Sequence, residues 1–459
     1  VKPAELRISD AGIPGEFLPS LAAAHPERYP VLLESAAQGA LARFTILCAA
    51  PAAALWLDAS GAIGAFGVTP RKGGFFENLD AWTRATPKPA PPSGLLARIP
   101  FRGGWVVYVG YEAAAEIERH LELPPSRAPL TAFALRIEHF VVHELATGRV
   151  FAVSEGSDAA AHDALLADLA AHSELPPPQG AQVAVESLDE EAPGLFLDRV
   201  RRVQEHIAAG DVYQVNLSRA WRPRLRPGAT PAAVYAALRR ANPAPFAASV
   251  QFRGMTILSS SPERLLRIHG RDISTRPIAG TRPRHPSKER DEHETAELVA
   301  HPKERAEHVM LIDLERNDLG RVCEAGTVQV DEYMGIESYA HVHHIVSNVR
   351  GTLRANATAV DALRALFPGG TITGCPKVRC MQIIATLEGE GRGAYTGSLG
   401  WLGTDGDADF NILIRTLTLR GDEIELRAGA GIVADSIPER ELDETRAKAR
   451  GLLRAFVVS

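Results

Sequence analysis

Arg276-Pro277-Ile278-Ala279-Gly280-Thr281-Arg282-Pro283-Arg284 is the stretch on which the reading of this chain turns. Locally it is a Pro/Gly turn with a basic flank, common in any protein, so its weight comes from its surroundings. Upstream, Leu197 to Ala209 has amphipathic helical spacing ended by Gly210, a usual stop residue, and Val212 to Leu217 reads as a strand. Downstream, Lys303 to Glu315 is helical by spacing, with Val309, Leu311, Ile312 and Leu314 on one side. Gly374-Cys375-Pro376 opens a helix with Pro in its first turn, running to Leu387. Ile412 to Leu419 and Glu423 to Arg427 read as strands paired across Arg420-Gly421-Asp422, and Pro438 to Phe456 closes the chain as a helix. Long strands with helices between them, and no regular βαβ alternation, predict an α+β fold rather than a doubly wound sheet.

Two proline-rich stretches punctuate the chain: Pro87 to Gly94, and Leu175 to Gly180 running into the acidic run Glu186 to Glu191. The second divides an N-terminal part, 1–180, from a C-terminal part, 193–459. In the first part Ala159 to Leu175 reads as an Ala/Leu helix, and runs such as Gly104 to Val109 and Phe140 to Glu144 are β-rich. A chain of 459 residues suggests two or three domains. The net charge of -6 argues against a nucleic-acid partner, and no apolar run approaches a membrane span. Of the 4 cysteines, Cys375 and Cys380 are close while Cys48 and Cys323 lie far off, so neither a zinc spacing nor a disulfide framework is present. All four are expected reduced and mostly buried, as in a cytoplasmic protein. Val1-Lys2-Pro3-Ala4 carries no h-region or cleavage site, and with Val first the native start is left open.

Several side chains stand out by type and spacing. Glu304 and Glu307 are three apart, so they project from one helical face, and Glu444 and Lys448 are one turn apart. Arg415 follows Ile412-Leu413-Ile414, and an Arg in so apolar a strand needs a partner; its planar fork of donors suits a carboxylate. Gly429-Ala430-Gly431 offers backbone N–H groups where side chains would block approach. Glu263 sits in a Pro-Glu-Arg turn. In His341-Val342-His343-His344, alternation puts His341 and His343 on one strand face and His344 on the other, so the three do not converge on a metal; His341 and His343 are read as structural. Phe367 to Gly374 is Gly/Thr-rich like a phosphate cradle, but Pro376 intervenes before Lys377 and no Ser or Thr follows, so it is no P-loop.

Together, and in this order from about residue 205 to 450, these motifs resemble those of the chorismate-utilising enzymes. That resemblance implies two large packed antiparallel β-sheets flanked by helices, built from both N- and C-terminal segments, with the active site between the sheets in the C-terminal part. Leu32-Leu33-Glu34-Ser35 is similar to a tryptophan-site segment, so the N-terminal part would contribute a tryptophan-type pocket. The resemblance implies magnesium as cofactor, with Glu307 and Glu444 as ligands and Glu304 behind them. It assigns Lys448 and the Gly429-Ala430-Gly431 backbone to the ring carboxylate of chorismate, and Arg415 and Tyr395 to the enolpyruvyl carboxylate. Glu263 becomes the general acid that protonates the departing ring hydroxyl, which requires a carboxyl group protonated near neutral pH. His344 becomes the catalytic histidine, Thr371 a hydrogen-bond donor near the ring, and Ala279 and Thr281 part of the catalytic signature.

Family members that add water carry a Lys base at the position of Gln214. A neutral amide cannot deprotonate water, whereas ammonia needs no base, so amination is implied. Ala279 stands where other relatives carry a covalent Lys nucleophile, so nitrogen must arrive as ammonia. No glutamine-amidotransferase segment accompanies the motifs, and a separate glutaminase subunit is expected as partner. Asn242 to Ala247 and Asp409-Phe410-Asn411 are similar to the branch that aminates ring carbon 4 and leads to p-aminobenzoate and folate; Ala279 is of the type found in the branch that makes anthranilate. The expected reaction is amination at carbon 4, through enzyme-bound 2-amino-2-deoxyisochorismate, with anthranilate formation as the alternative. A non-catalytic chorismate- or tryptophan-binding regulator is a third reading, disfavoured because every matched position keeps its reactive residue type.

Overall fold

Gly104–Val109 is buried along its whole length, and its two faces serve different cores. Trp105, Val107 and Val109 pack into a cluster shared with helices, while Val106 and Tyr108 face the opposite sheet. A strand covered on both faces reads as a continuous apolar run, which is how this one appears in the sequence. The protein is described from a computed structural model covering residues 5–37, 43–156, 159–285, 287–338 and 342–458. Within these residues one sheet holds 13 strands and the other 11. A cluster including Val31, Ile46, Phe140 and Ile257 from the first sheet and Val106, Phe133 and Leu399 from the second lies between them. Pairing is antiparallel apart from Val183–Glu190 with Phe456–Val458. N- and C-terminal stretches interleave in both sheets: Val31–Glu34 pairs with Phe246–Phe252, and Gly104–Val109 with Ser398–Gly403. The expected α+β architecture of two packed antiparallel sheets flanked by helices is the one observed. Among the described residues no helix is long and apolar enough to cross a membrane. The cysteines are free, and Cys375 alone is partly exposed.

Several element boundaries differ from expectation. The Pro302–Gly320 helix runs five residues past Glu315, and Val309 is 40% exposed although Leu311, Ile312 and Leu314 are buried. Pro376 is the N-cap of Lys377–Glu388 rather than part of its first turn. The last helix stops at Leu453, and Phe456–Val458 forms an edge strand. The largest difference is at Ile412 to Leu419, which is not one strand. Ala408–Asn411 belongs to the second sheet and Thr416–Arg420 to the first, so the apolar run Ile412-Leu413-Ile414 crosses between them.

A partner crossing runs beside it. Met255–Ser261 lies in the first sheet, paired with Thr416–Arg420, and Arg264–His269 lies in the second, paired with Ala408–Asn411. One antiparallel strand pair therefore changes sheets as a unit. Backbone groups that leave a ladder in the interior need new partners, and the two crossings supply them to each other. Ile412 N donates to Glu263 O at 3.0 Å, Ser260 N to Arg415 O at 3.0 Å, and Ser261 Oγ to Ile412 O at 2.6 Å.

Behind the crossings lies a buried ion network. Glu388 accepts from Arg392 Nη2 at 2.7 Å, from the Ser218 amide at 2.8 Å and from Arg427 Nη2 at 3.3 Å. Arg392 continues to the carbonyls of Asn216 at 2.7 Å and Ile372 at 3.2 Å. This ties together the strand Gln214–Leu225, the turn Gly370–Ile372 and the strand Glu423–Ile432. Removing one partner of a buried pair strands the other charge. Glu388→Ala should therefore cost about 3–5 kcal/mol in denaturant unfolding, and a loss below about 1 kcal/mol, the surface-pair scale, would show that the network does not hold these elements.

Candidate active site

The two crossings bring Glu263 and Arg415 to the same side of the sheet junction. Glu263 is 4% exposed; its Oε1 accepts from Thr371 Oγ1 at 2.9 Å and faces the Ile278 amide at 3.5 Å. Burial pushes its pKa up to about 7, against the opposing pull of the Thr371 and Ile278 hydrogen bonds and the Lys448 and Arg415 charges. Thr371, expected near a substrate ring, thus orients the acid itself. Arg415 has φ 51. Its one hydrogen bond from the guanidinium is a long contact to Asn242 Oδ1 at 3.5 Å, and among the described residues it makes no ion pair. A buried guanidinium so placed can take an anion, and it lies near enough to Glu263 for each charge to act on the other.

The strand Ile278–Pro283 carries the signature stretch and pairs with Val342–Thr352, with Ala279 opposite Ile345 and Thr281 opposite His344. The Thr281 side chain and the whole of His341 lie outside the described residues. His344 is 3% exposed, and burial with the Arg415 charge lowers its pKa to about 4, so it is neutral near pH 7. His343 is structural, as expected: it bonds Ser338 Oγ through Nδ1 at 2.7 Å and Asp291 through Nε2 at 2.9 Å.

Gln214 begins the strand Gln214–Leu225, which pairs with Glu423–Ile432. A side chain on Gly429 or Gly431 would meet neighbouring atoms, at Gly429 first the Leu217 carbonyl oxygen at 2.5 Å. A Cβ on Gly431 would lie 2.3 Å from Gln214 Nε2, and one on Gly429 would lie 2.7 Å from the Tyr395 hydroxyl and 2.8 Å from Asn216 Oδ1. Ala430 points the other way, fully buried. Gln214 Oε1 and Asn216 Oδ1 are buried acceptors without hydrogen-bond partners among the described residues. Among the described residues the strand has no partner beyond Leu426 on its Thr416–Arg420 side, and there Lys448 Nζ reaches the Gly429 carbonyl at 3.0 Å. Lys448 also pairs with Glu444 at 2.8 Å, so it is held by protein groups beside the site. Tyr395 is buried; burial pushes its pKa up to about 12, and the charges of Arg392 and Glu444 also reach it.

Glu304 and Glu307 are both partly buried on the Pro302–Gly320 helix, but Glu304 is engaged by Arg282 at 3.3 Å. Among the described residues no three His, Cys, Asp or Glu side chains converge as a metal site. A magnesium site of two carboxylates completed by substrate and water is smaller than that, and carboxylate oxygen is the donor magnesium takes. Glu444, half exposed and acting on Tyr395, fits such a role from the open side of the site.

A cavity of about 410 Å³ lies apart from this cluster, lined among others by Leu33, Ser35, Pro245, Phe246 and the Arg264–Asp409 pair. It brings together the two stretches, Leu32–Ser35 and Asn242–Ala247, read above from sequence. Sequence reasoning missed Asn242 as the partner of Arg415, and it missed Glu388 and Arg392. Glu388-Gly389-Glu390-Gly391-Arg392-Gly393 has the composition of a solvated turn, and only the i,i+4 spacing of Glu388 and Arg392 hinted at a pair.

A family model described as chorismate binding enzyme matches residues 30–454. The chain is 44% identical over 390 residues to anthranilate synthase component 1 of Streptomyces coelicolor, covering 80% of this chain and 74% of that protein. It is 42% identical over 369 residues to aminodeoxychorismate synthase component 1 of Bacillus subtilis, covering 78% of each. The crystal structure of anthranilate synthase component I from Streptococcus pneumoniae superposes with a TM-score of 0.79 at 30% identity, over 90% of this chain and 93% of that one.

Proposed function

Because the chain belongs to the chorismate-binding enzymes, we propose that it aminates chorismate at ring carbon 4, giving 4-amino-4-deoxychorismate with ammonia from a separate glutaminase subunit. The observation that carries the reading is a buried acid raised to about 7, Glu263, in the field of a buried guanidinium, Arg415, that makes no ion pair among the described residues. Chorismate supplies a hydroxyl for the first to protonate and a carboxylate for the second to bind. Arg415 and Tyr395 take the enolpyruvyl carboxylate. Lys448 and the Gly429-Ala430-Gly431 edge take the ring carboxylate, using the ammonium donor that Glu444 and Gly429 O leave over. Magnesium would be held by Glu307 and Glu444, with Glu304 behind them, and would supply a dication to the ring carboxylate. Thr371 fixes the Glu263 carboxyl, and burial holds His344 neutral near pH 7.

Amination is supported by Gln214, an amide where a water-adding enzyme needs a base. With Ala279 in the signature and Lys448 held by Glu444, ammonia itself adds at carbon 2 while Glu263 protonates the departing carbon-4 hydroxyl. A second ammonia then attacks carbon 4 and expels the first. The similarity to an anthranilate synthase component and the anthranilate-type Ala279 favour a second reading, in which the carbon-2 amine is kept and pyruvate is lost. Purified chain with chorismate, magnesium and ammonium separates the two. The proposal expects 4-amino-4-deoxychorismate and no pyruvate; anthranilate with equimolar pyruvate would replace it by the second reading.

Arg415→Lys should lower kcat/KM for chorismate by the equivalent of about 2–5 kcal/mol, the scale for truncating a buried charge partner; wild-type efficiency would put Arg415 outside the substrate's reach. Glu444→Gln should abolish magnesium-dependent turnover while leaving thermal unfolding almost unchanged, because the residue is half exposed. Normal turnover at limiting magnesium would reject it as a ligand.

A further inference from the structure

The strand Gln214–Leu225 turns one face toward helices and the other toward the site. Val215 and Leu217 pack with Phe196, Val203, Cys380 and Ile384, so alternation sends Gln214, Asn216 and Ser218 the opposite way. All three are buried, at 7%, 8% and 0% exposure. Ser218 is satisfied, its hydroxyl donating to Glu388 at 2.9 Å. Gln214 and Asn216 are not: among the described residues neither Gln214 Oε1 nor Asn216 Oδ1 accepts a hydrogen bond. A buried acceptor left unmatched costs stability, and two of them on one strand face call for a donor from outside the protein. The Lys448 ammonium is taken elsewhere, by the Gly429 carbonyl at 3.0 Å and Glu444 at 2.8 Å. On the paired strand Asn216 lies opposite Gly431 and Ser218 opposite Gly429. The point where a side chain on Gly429 would begin is 2.8 Å from Asn216 Oδ1 and 2.7 Å from the Tyr395 hydroxyl, so Asn216 stands beside a side chain proposed above to bind substrate. Its backbone is fixed on both sides: the amide donates to Thr373 O at 2.9 Å, and the carbonyl accepts from Arg392 Nη2 at 2.7 Å.

We propose that Asn216 Oδ1, together with Gln214 Oε1, forms the subsite that binds ammonia as the nucleophile. The inference rests on the amination proposed above and holds for either product, since both begin with nitrogen at carbon 2. Ammonia whose lone pair is aimed at carbon has three N–H donors, and in a buried site these need acceptors. A neutral amide oxygen accepts without taking a proton. A carboxylate in the same place would favour ammonium, which has no lone pair with which to attack. As the lone pair forms the bond to carbon 2, the two ring double bonds shift and the carbon–oxygen bond at carbon 4 breaks, the hydroxyl leaving as water with the Glu263 proton. Nitrogen becomes cationic in that step, and its hydrogen bonds to the two oxygens strengthen. The new ammonium group then gives up one proton, which restores Glu263.

The test is the ammonium dependence of turnover by the purified chain at saturating chorismate and magnesium, for wild type, Asn216→Leu and Asn216→Asp. Asn216→Leu keeps the shape and removes the acceptor. Its KM for ammonium should rise about tenfold, the scale of one lost hydrogen bond, while its KM for chorismate stays that of the wild type. A merely structural role would not separate the two constants. An unchanged KM for ammonium overturns the proposal, and so does a rise confined to chorismate, which would make Asn216 a ligand of the ring substrate instead. Asn216→Asp carries the test alone if the leucine variant does not fold. Its carboxylate holds the nucleophile as ammonium, so the ammonium-dependent rate should need higher pH than in the wild type; a pH profile that coincides with the wild type overturns the proposal as well. A wild type that incorporates no nitrogen from ammonium would instead remove the amination beneath it, which tells the two failures apart.

Discussion

One antiparallel strand pair has to leave one sheet and enter the other at the same point, and the site is built from what that crossing demands. In the first sheet Met255–Ser261 runs beside Thr416–Arg420; in the second Arg264–His269 runs beside Ala408–Asn411. The residues between lose their ladder partners and bond one another instead, through Ile412 N to Glu263 O and Ser260 N to Arg415 O. Arg415 takes a left-handed backbone conformation there, which for a non-glycine residue costs about 1–3 kcal/mol. The paired crossings hold it in place, and the result is an acid and a guanidinium aimed into the same space.

The electrostatics follow from burial. Two cations, Arg415 and Lys448, pull the Glu263 carboxyl toward ionisation, yet desolvation outweighs them and leaves its pKa near 7. Keeping a carboxylic acid at that value sacrifices roughly 3 kcal/mol of folding stability at alkaline pH, at 1.36 kcal/mol per pKa step. The same burial keeps His344 neutral. The Glu388–Arg392–Arg427 network is what lets so many polar groups stay buried in register. It fixes the strand of Gln214, the Thr371 turn and the strand of Gly429 against one another.

Much of this was legible from residue types, and the failures have physical causes. The mixture of long strands and helices gave α+β, but the two-sheet arrangement came from resemblance, because a strand buried on both faces such as Gly104–Val109 loses the alternation that would assign it to a sheet face. Ile412-Leu413-Ile414 was read as a strand interior because a crossing between packed sheets is as buried as a strand; Ile412 and Leu413 are 3% and 0% exposed. The need of Arg415 for a partner was legible, whereas the left-handed turn that aims it was not. Gly429 and Gly431 are legible as places where a side chain would not fit, and the neighbours that exclude one are the Leu217 carbonyl, Tyr395 and Asn216 at Gly429 and Gln214 at Gly431. Glu444 and Lys448 pair as their spacing implied. Arg392 is legible only through its i,i+4 spacing from Glu388, since three interleaved glycines and two glutamates around a fully buried arginine look like a surface turn.

The central claim, that the strand crossing holds Glu263 as a protonated acid near Arg415, which makes no ion pair among the described residues, is tested most directly by isotope-edited infrared difference spectroscopy of wild type against Glu263→Gln over a pH series. The account predicts a protonated carboxyl band belonging to Glu263 that persists through mildly acidic pH and disappears as pH rises through about 7. A band already gone at about pH 5, as for an ordinary glutamate, would contradict it.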